Sequence, residues 1–275
     1  SKLNYDVNED LEVQVGIDWR TAGIEHAREV RDLLGGDYFV NTSNKNNTTP
    51  ESQMQGLGDI IAYHNSTTVD WLGGFVQGKY TKDKINLYGM GGLSSIKYSY
   101  QDHFTVANEV VNADAISTFQ VKGGIMYDVD DNVSVFANTG YVEKPPIMDN
   151  VIYYDGTVAS DPINESFISS EAGVNFESEK FAVKVSAYNT DWKDRNLTKA
   201  VTTGQGDSGD TDVIFLKGIG QKHQGLEIEG SMKLNDMIRL DGAVSFGKWK
   251  FDGDADGLYT EYDEDAPKQT SYTYT

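Results

Sequence analysis

Leu226-Glu-Ile-Glu-Gly-Ser-Met-Lys-Leu234 and Ile238-Arg-Leu-Asp-Gly-Ala-Val-Ser-Phe246 are separated only by a short polar break at Asn235-Asp236. In each run every second residue is apolar or small, and the residues between, Ala243 apart, are polar or charged. A period of two is the signature of a half-buried strand, and two such runs around a tight break read as an antiparallel hairpin. The rhythm recurs outward from this hairpin. Leu11–Trp19, Phe119–Tyr127, Val133–Tyr141, Ile168–Phe176 and Phe181–Ala187 all show it. Val69–Tyr80 and Ile85–Tyr98 show it less cleanly, interrupted by Gly73-Gly74 and Gly91-Gly92. That predicts about nine strands. In the seven clean runs, no position of the apolar phase is charged. The opposite phase holds Glu12, Asp18, Lys122, Glu171, Lys184, Glu227, Glu229, Lys233, Arg239 and Asp241, with Arg20 just beyond.

The connections sort by length. Thr81–Lys84, Val129–Asn132, Glu177–Lys180 and Asn235-Asp236 are short, whereas 21–66, 101–116, 143–166, 196–212 and 252 to the end are long. The two kinds alternate, which puts short turns at one rim and long loops at the other. With alternating cores of about nine residues, this describes an all-β, antiparallel, up-and-down transmembrane barrel, here partial, more closely than a soluble sandwich of shorter strands. One helix is predicted over Ile24–Leu34, from apolar residues at mixed three and four spacing and the stop signal Gly35-Gly36. Trp19, Tyr127, Tyr141 and Trp249 fall near strand ends, where aromatic girdles belong.

Composition narrows the functions. The 275 residues include no cysteine, which excludes disulfide scaffolds, thiolate zinc sites and a cysteine nucleophile. A formal net charge of −20 argues against a nucleic-acid partner. No run approaches the roughly 18 apolar residues of a membrane helix, but a barrel crosses lipid with strands and needs none.

Several segments carry a family resemblance. Lys217-Gly-Ile-Gly-Gln-Lys-His-Gln-Gly225-Leu-Glu-Ile-Glu229 resembles a late barrel-strand signature of TonB-dependent receptors, and Tyr188–Asp194 resembles the strand end before it. Tyr141-Val-Glu-Lys-Pro145-Pro146 is similar to that family's aromatic-to-proline exit into a long outer loop. Gly16–Arg20 with Arg28–Phe39 resembles its Bacteroidota branch. The resemblance implies a bacterial outer-membrane location and energy-dependent uptake of a scarce nutrient: a siderophore, a cobalamin-like cofactor or an oligosaccharide. Residues 1–275 would form part of one barrel domain, contributing wall and outer loops. No plug-domain sequence is found, and nine strands are under half of a 22-strand transporter, so the physiological protein is expected to be longer. The implied partners are outer-membrane lipid, the nutrient, the TonB complex through a plug absent from this chain, and a surface lipoprotein over the loops. No enzyme activity is implied. A passive channel and a secreted, glycan-binding β-protein are the competing readings.

Chemical motifs are sparse. Asp252-Gly-Asp254-Ala-Asp256-Gly257, followed by Asp263, matches the one-three-five spacing of an EF-hand calcium loop, with Asp in place of Glu at position twelve. A strand pattern precedes it where a helix would be needed, so a solvated acidic loop reads the same residues. No cofactor besides this candidate Ca²⁺ is expected. Glu227 and Glu229 share one strand face, as a wall pair or as an acid pair for glycoside hydrolysis. The four histidines, His26, His64, His103 and His223, have no short ligand spacing; His103, beside Tyr98 and Tyr100, is a candidate cargo contact.

Overall fold

The computed structural model describes residues 1–42, 47–103, 109–153, 156–203, 210–262 and 267–274. In chain order the strands are β1 (Lys2–Asp6), β2 (Leu11–Glu29), β3 (Phe39–Val40), β4 (Met54–Gln55), β5 (Ile60–Lys82), β6 (Ile85–Asp102), β7 (Val110–Asn112) and β8 (Ile116–Asp128). They continue with β9 (Val133–Lys144), β10 (Glu165–Glu177), β11 (Phe181–Thr203), β12 (Asp210–Asn235), β13 (Ile238–Asp252), β14 (Ala255–Tyr262) and β15 (Pro267–Tyr274). Thirteen of them form one antiparallel sheet along the path β1-β2-β5-β6-β8-β9-β10-β11-β12-β14-β15, with β13 also on β12 and β7 also on β6. β3 and β4 pair separately. The sheet is a partial barrel wall; its two edges, β1 and β15, are not paired to each other among the described residues.

All nine predicted strands are present as β2, β5, β6 and β8–β13. β1, β14 and β15, and the short β3, β4 and β7, are additions. Residues after 252 were expected to be a loop, but most are strand, because β14 continues the line of β13 along β12. The join is a notch in which both strands carry a left-handed glycine, Gly253 (φ 86°) and Gly218 (φ 73°). Glycine alone takes that conformation without strain.

The strands also outrun the sequence pattern. β5 has 23 residues and β12 has 26. At ~3.3 Å per residue β5 is roughly 75 Å long, far more than a bilayer requires. The helix predicted over Ile24–Leu34 is absent: Ile24–Glu29 belongs to β2 and pairs with β5 from Ile24↔Thr67 to Glu29↔Ile60. Cross-strand bonding supplies partners for these backbone groups, and tertiary pairing overrides the local three-four spacing. The expected loop over 196–212 is likewise mostly the β11–β12 ladder, paired from Leu197↔Leu216 to Thr203↔Asp210. Among the described residues the α-helix is the single turn Pro50–Gln53, closed by a Thr49–Ser52 capping box. No described helix is long and apolar enough to cross a membrane, which says nothing of strands.

The rims segregate as expected. Residues 7–10, 83–84, 129–132, 178–180 and 236–237 make the short turns; 30–59 and 145–164 are the long connections at the other rim. Register fixes which side chains share a face. On one face lie Val15, Val76 and Gly91 in a row, and Val135, Val174, Val185, Ile228 and Val244 in another. This apolar belt starts at Leu11 and Tyr80 by the short turns and ends at Trp19, Leu72 and Leu93. Trp19 and a stacked Phe119–Tyr141 pair, 5.0 Å between ring centroids, mark its far edge; Tyr80 and Tyr127 mark the near edge. Trp249 departs from the girdle expectation. It shares the phase of Gly247 on the polar face, and its Nε1 donates to the Tyr188 hydroxyl at 3.1 Å.

On the polar face of the belt, aromatic rings lie flat over glycines of the neighbouring strand. Phe75 covers Gly16, Tyr88 covers Gly124, Phe136 covers Gly173 and Tyr188 covers Gly225. A Cβ at Gly173 would meet the Phe136 ring at 2.7 Å, so the missing side chain is what lets the ring lie flat. Lys184 bridges to Glu171 at 2.9 Å on this face, with its ammonium 5.1 Å from the Phe136 ring centre.

Candidate functional site

Beyond the Trp19–Leu72 row the same strands change phase. In β5 the apolar positions Leu72, Gly74 and Val76 give way to Val69 and Trp71 on the other face. In β6 Leu87 and Leu93 give way to Ile96, Tyr98 and Tyr100. In β2 Ile17 and Trp19 give way to Ala22 and Ile24. The switches fall at neighbouring rows, so along β5 and β6 the inner face of the long-loop half becomes apolar while its outer face becomes polar; β2 keeps Arg20, His26 and Arg28 on that inner phase.

The connection between β9 and β10 covers that inner patch. Pro145-Pro146 turns the chain inward; proline fixes φ and stops the strand ladder. A 3₁₀ turn at Met148–Asn150 then sets Val151 and Ile152 on the wall. Both are almost completely buried, at 1% and 2% exposure, in a cluster with Ile96, Tyr98, Tyr100, Ala113 and Ile116. The Tyr98 hydroxyl donates to the Pro146 carbonyl at 2.9 Å. The segment then doubles back through an Ile152↔Val158 bridge, and the Ala159 amide donates to the Val151 carbonyl at 2.8 Å.

A carboxylate anchors the far end of this connection. Glu165 is buried and accepts from Lys144 Nζ at 3.1 Å, Trp192 Nε1 at 3.1 Å and the Asn196 amide at 3.4 Å. It thereby ties β9, β10 and β11 together and orients Trp192, whose ring lies 4.6 Å from Phe167 and 4.3 Å from the Arg195 guanidinium. Beside the tucked connection is a cleft of about 640 Å³. Trp71, Phe75 and Phe167 supply its aromatic walls, and its polar lining carries both signs of charge, Arg20 and Lys144 with Asp18 and Glu143, beside Ser94, Thr118 and Gln120. Flat rings next to polar groups suit a flat small ligand.

The residues singled out in sequence scatter. Asp252 ends β13 opposite Gly220, Asp254 sits in the notch, and Asp256 lies in β14 in register with Lys217. Residues 255–262 are thus strand and not the second half of a twelve-residue loop; Asp263 lies outside the described residues. Among the described residues no group of three His, Asp or Glu side chains is set to hold a metal. Glu227 and Glu229 lie on the inner wall of the belt, Glu229 opposite Lys184. His103, expected beside Tyr98 and Tyr100, has the opposite phase and points outward, where it meets His64 at 4.3 Å between ring centres. The sequence reading missed the inner cluster and Glu165. The change of phase at Ser94-Ser95, after Leu93 and before Ile96, is the signal that marks the cluster.

The family model described as TonB dependent receptor-like, beta-barrel, matches residues 2–275. Among curated proteins, none matches the chain. Among solved structures, the FrpB iron transporter from Neisseria meningitidis (F3-3 variant) is 15% identical, with TM-score 0.55 over 99% of this chain and 41% of its own. The copper transporter OprC is 15% identical, with TM-score 0.60 over 96% of this chain and 40% of its own. The ferric-catecholate import receptor Fiu from K12 E. coli is 12% identical, with TM-score 0.60 over 96% and 41%. At such identities the likeness is one of fold. The chain spans about two fifths of each of these structures.

Proposed function

This chain belongs to the TonB-dependent receptor β-barrel family, a family of outer-membrane transport receptors and not of enzymes, and from that premise we propose that it supplies wall and long loops to an energy-coupled importer. The observation that carries the reading is the uncharged outer belt, about nine residues or roughly 27 Å deep along the strand, backed by a polar, hydrated inner face. In this reading the belt sits in bacterial outer-membrane lipid and the long-loop half stands outside it. The rest of a longer protein completes the barrel and provides the plug through which the TonB complex acts.

The cargo class is a scarce chelated nutrient, with metal–siderophore complexes first. The solved neighbours named for iron, copper and ferric-catecholate support that order, as do the aromatic walls of the cleft. Cobalamin-like and oligosaccharide cargo are carried as alternatives. A surface lipoprotein over the loops and a Ca²⁺ on the carboxylates of Asp252, Asp254, Asp256 and Asp263 also belong to the proposal.

The test is uptake of labelled ferric and cupric chelates, cobalamin and oligosaccharides by cells with and without the full-length gene. Uptake that needs the gene and collapses with a protonophore supports the proposal. Gene-dependent uptake that survives the protonophore identifies a passive channel instead.

A further inference from the structure

The polar outer face of the long-loop half carries a group that neither the barrel wall nor the cleft uses. His64 of β5 and His103 at the end of β6 lie opposite each other, with the His103 amide donating to the His64 carbonyl at 2.8 Å. Their rings are 4.3 Å apart between centroids and inclined at 42°. Glu25 of β2, on the same face, places Oε1 2.6 Å from His64 Nε2. Ser66, one outward position below His64, has its hydroxyl 2.8 Å from His103 Nε2. Three neighbouring strands therefore bring two imidazoles and one carboxylate together, although the residues are 39 positions apart in each step of the chain.

We propose that His64 and His103, with Glu25, form a site for a divalent transition-metal ion of imidazole-preferring type, Cu²⁺, Ni²⁺ or Zn²⁺. Imidazole nitrogens bind such ions at about 2.0–2.1 Å, and the two rings already lie against each other across the ladder. The carboxylate supplies charge, and Ser66 gives up its contact with His103 as the ion enters. Since no three ligands stand in finished ligating geometry, the two imidazoles are the core of the site, and Glu25 and water complete it. His64 lies eight residues beyond Leu72 along β5, or about 26 Å of strand past the belt edge, so the site faces water and not lipid. It is on the opposite face of the wall from the cleft.

The test uses the full-length protein purified in detergent and the bare ions as probes. Titration against a chromophoric chelator should show one micromolar site that weakens at least 30-fold in H64A/H103A and about 3- to 10-fold in E25Q. Cu²⁺ bound to the unaltered protein should show hyperfine splitting from two imidazole nitrogens, absent in the double variant. Retained heat-modifiable migration on gels establishes that each variant is folded. Unchanged affinity in folded H64A/H103A, or an oxygen-only copper spectrum in the unaltered protein, overturns the assignment.

Discussion

The two halves of this wall are built from the same strands with opposite faces dry. In the belt, Val185, Ile228 and Val244 present apolar side chains outward, and Glu171, Lys184 and Glu229 face in. Past the Trp19–Leu72 row, Ile96, Tyr98 and Tyr100 are apolar inward, and Glu25, Ser66, His64 and His103 face out. The difference teaches that a strand has no fixed inside. Each half buries its apolar phase against whatever non-aqueous neighbour it has. Under the proposed function that neighbour is lipid for the belt, and for the long-loop half it is the chain's own connection between β9 and β10.

The comparison can be broken most strongly from the inside. Ile152→Asp places a charge in a cluster where the native side chain is 2% exposed. An uncompensated buried charge costs about 3–5 kcal/mol, so the connection should leave the wall and residues 147–160 become open to protease, with the belt still folded. On the outside, Ile228→Arg in the belt should cost about 2–4 kcal/mol in a lipid-refolding titration. Thr68→Arg, outward in the other half, should stay within about 0.5 kcal/mol. An equal penalty at both positions would erase the distinction between the halves. Gly173→Ala tests the inner wall of the belt. Its Cβ would lie 2.5 Å from the Val185 carbonyl and 2.7 Å from the Phe136 ring, so about 1–3 kcal/mol should be lost in the same titration. Tyr98→Phe removes the bond to Pro146 and should loosen the connection by about 1 kcal/mol, read as faster amide exchange at Val151 and Ala159.

Much of the belt was legible in sequence because one rule, no charge on every second residue, holds along each of its clean strands. Charge is absent from one phase at Leu11–Trp19 as at Leu226–Leu234, and the register carries that phase across the wall. The long-loop half was harder to read for a physical reason. Its strands are held by ladder bonds over residues with no steady alternation, so Ile24–Glu29 imitated a helix and 197–203 and 210–212 imitated a loop. The cleft needs Trp71, Thr118 and Phe167 from three strands, and Glu165 draws its partners from Lys144, Trp192 and Asn196; neither grouping exists as a motif. The acidic run at 252–263 was conspicuous as sequence, yet the strand pairing of Asp256 divides it.

Inversion of the dry face across these neighbouring rows is tested most directly along β6. These 275 residues hold no cysteine, so single cysteines can be introduced at each position from 85 to 101 of the full-length protein, with any cysteine elsewhere replaced by serine, and spin-labelled in liposomes. The account predicts that labels at odd positions 85–93 collide with oxygen and not with an aqueous nickel chelate. Odd positions 95–101 should collide with the nickel chelate, and 96, 98 and 100 with neither. An alternation that keeps one phase unbroken through Ser94 and Ser95 would contradict it.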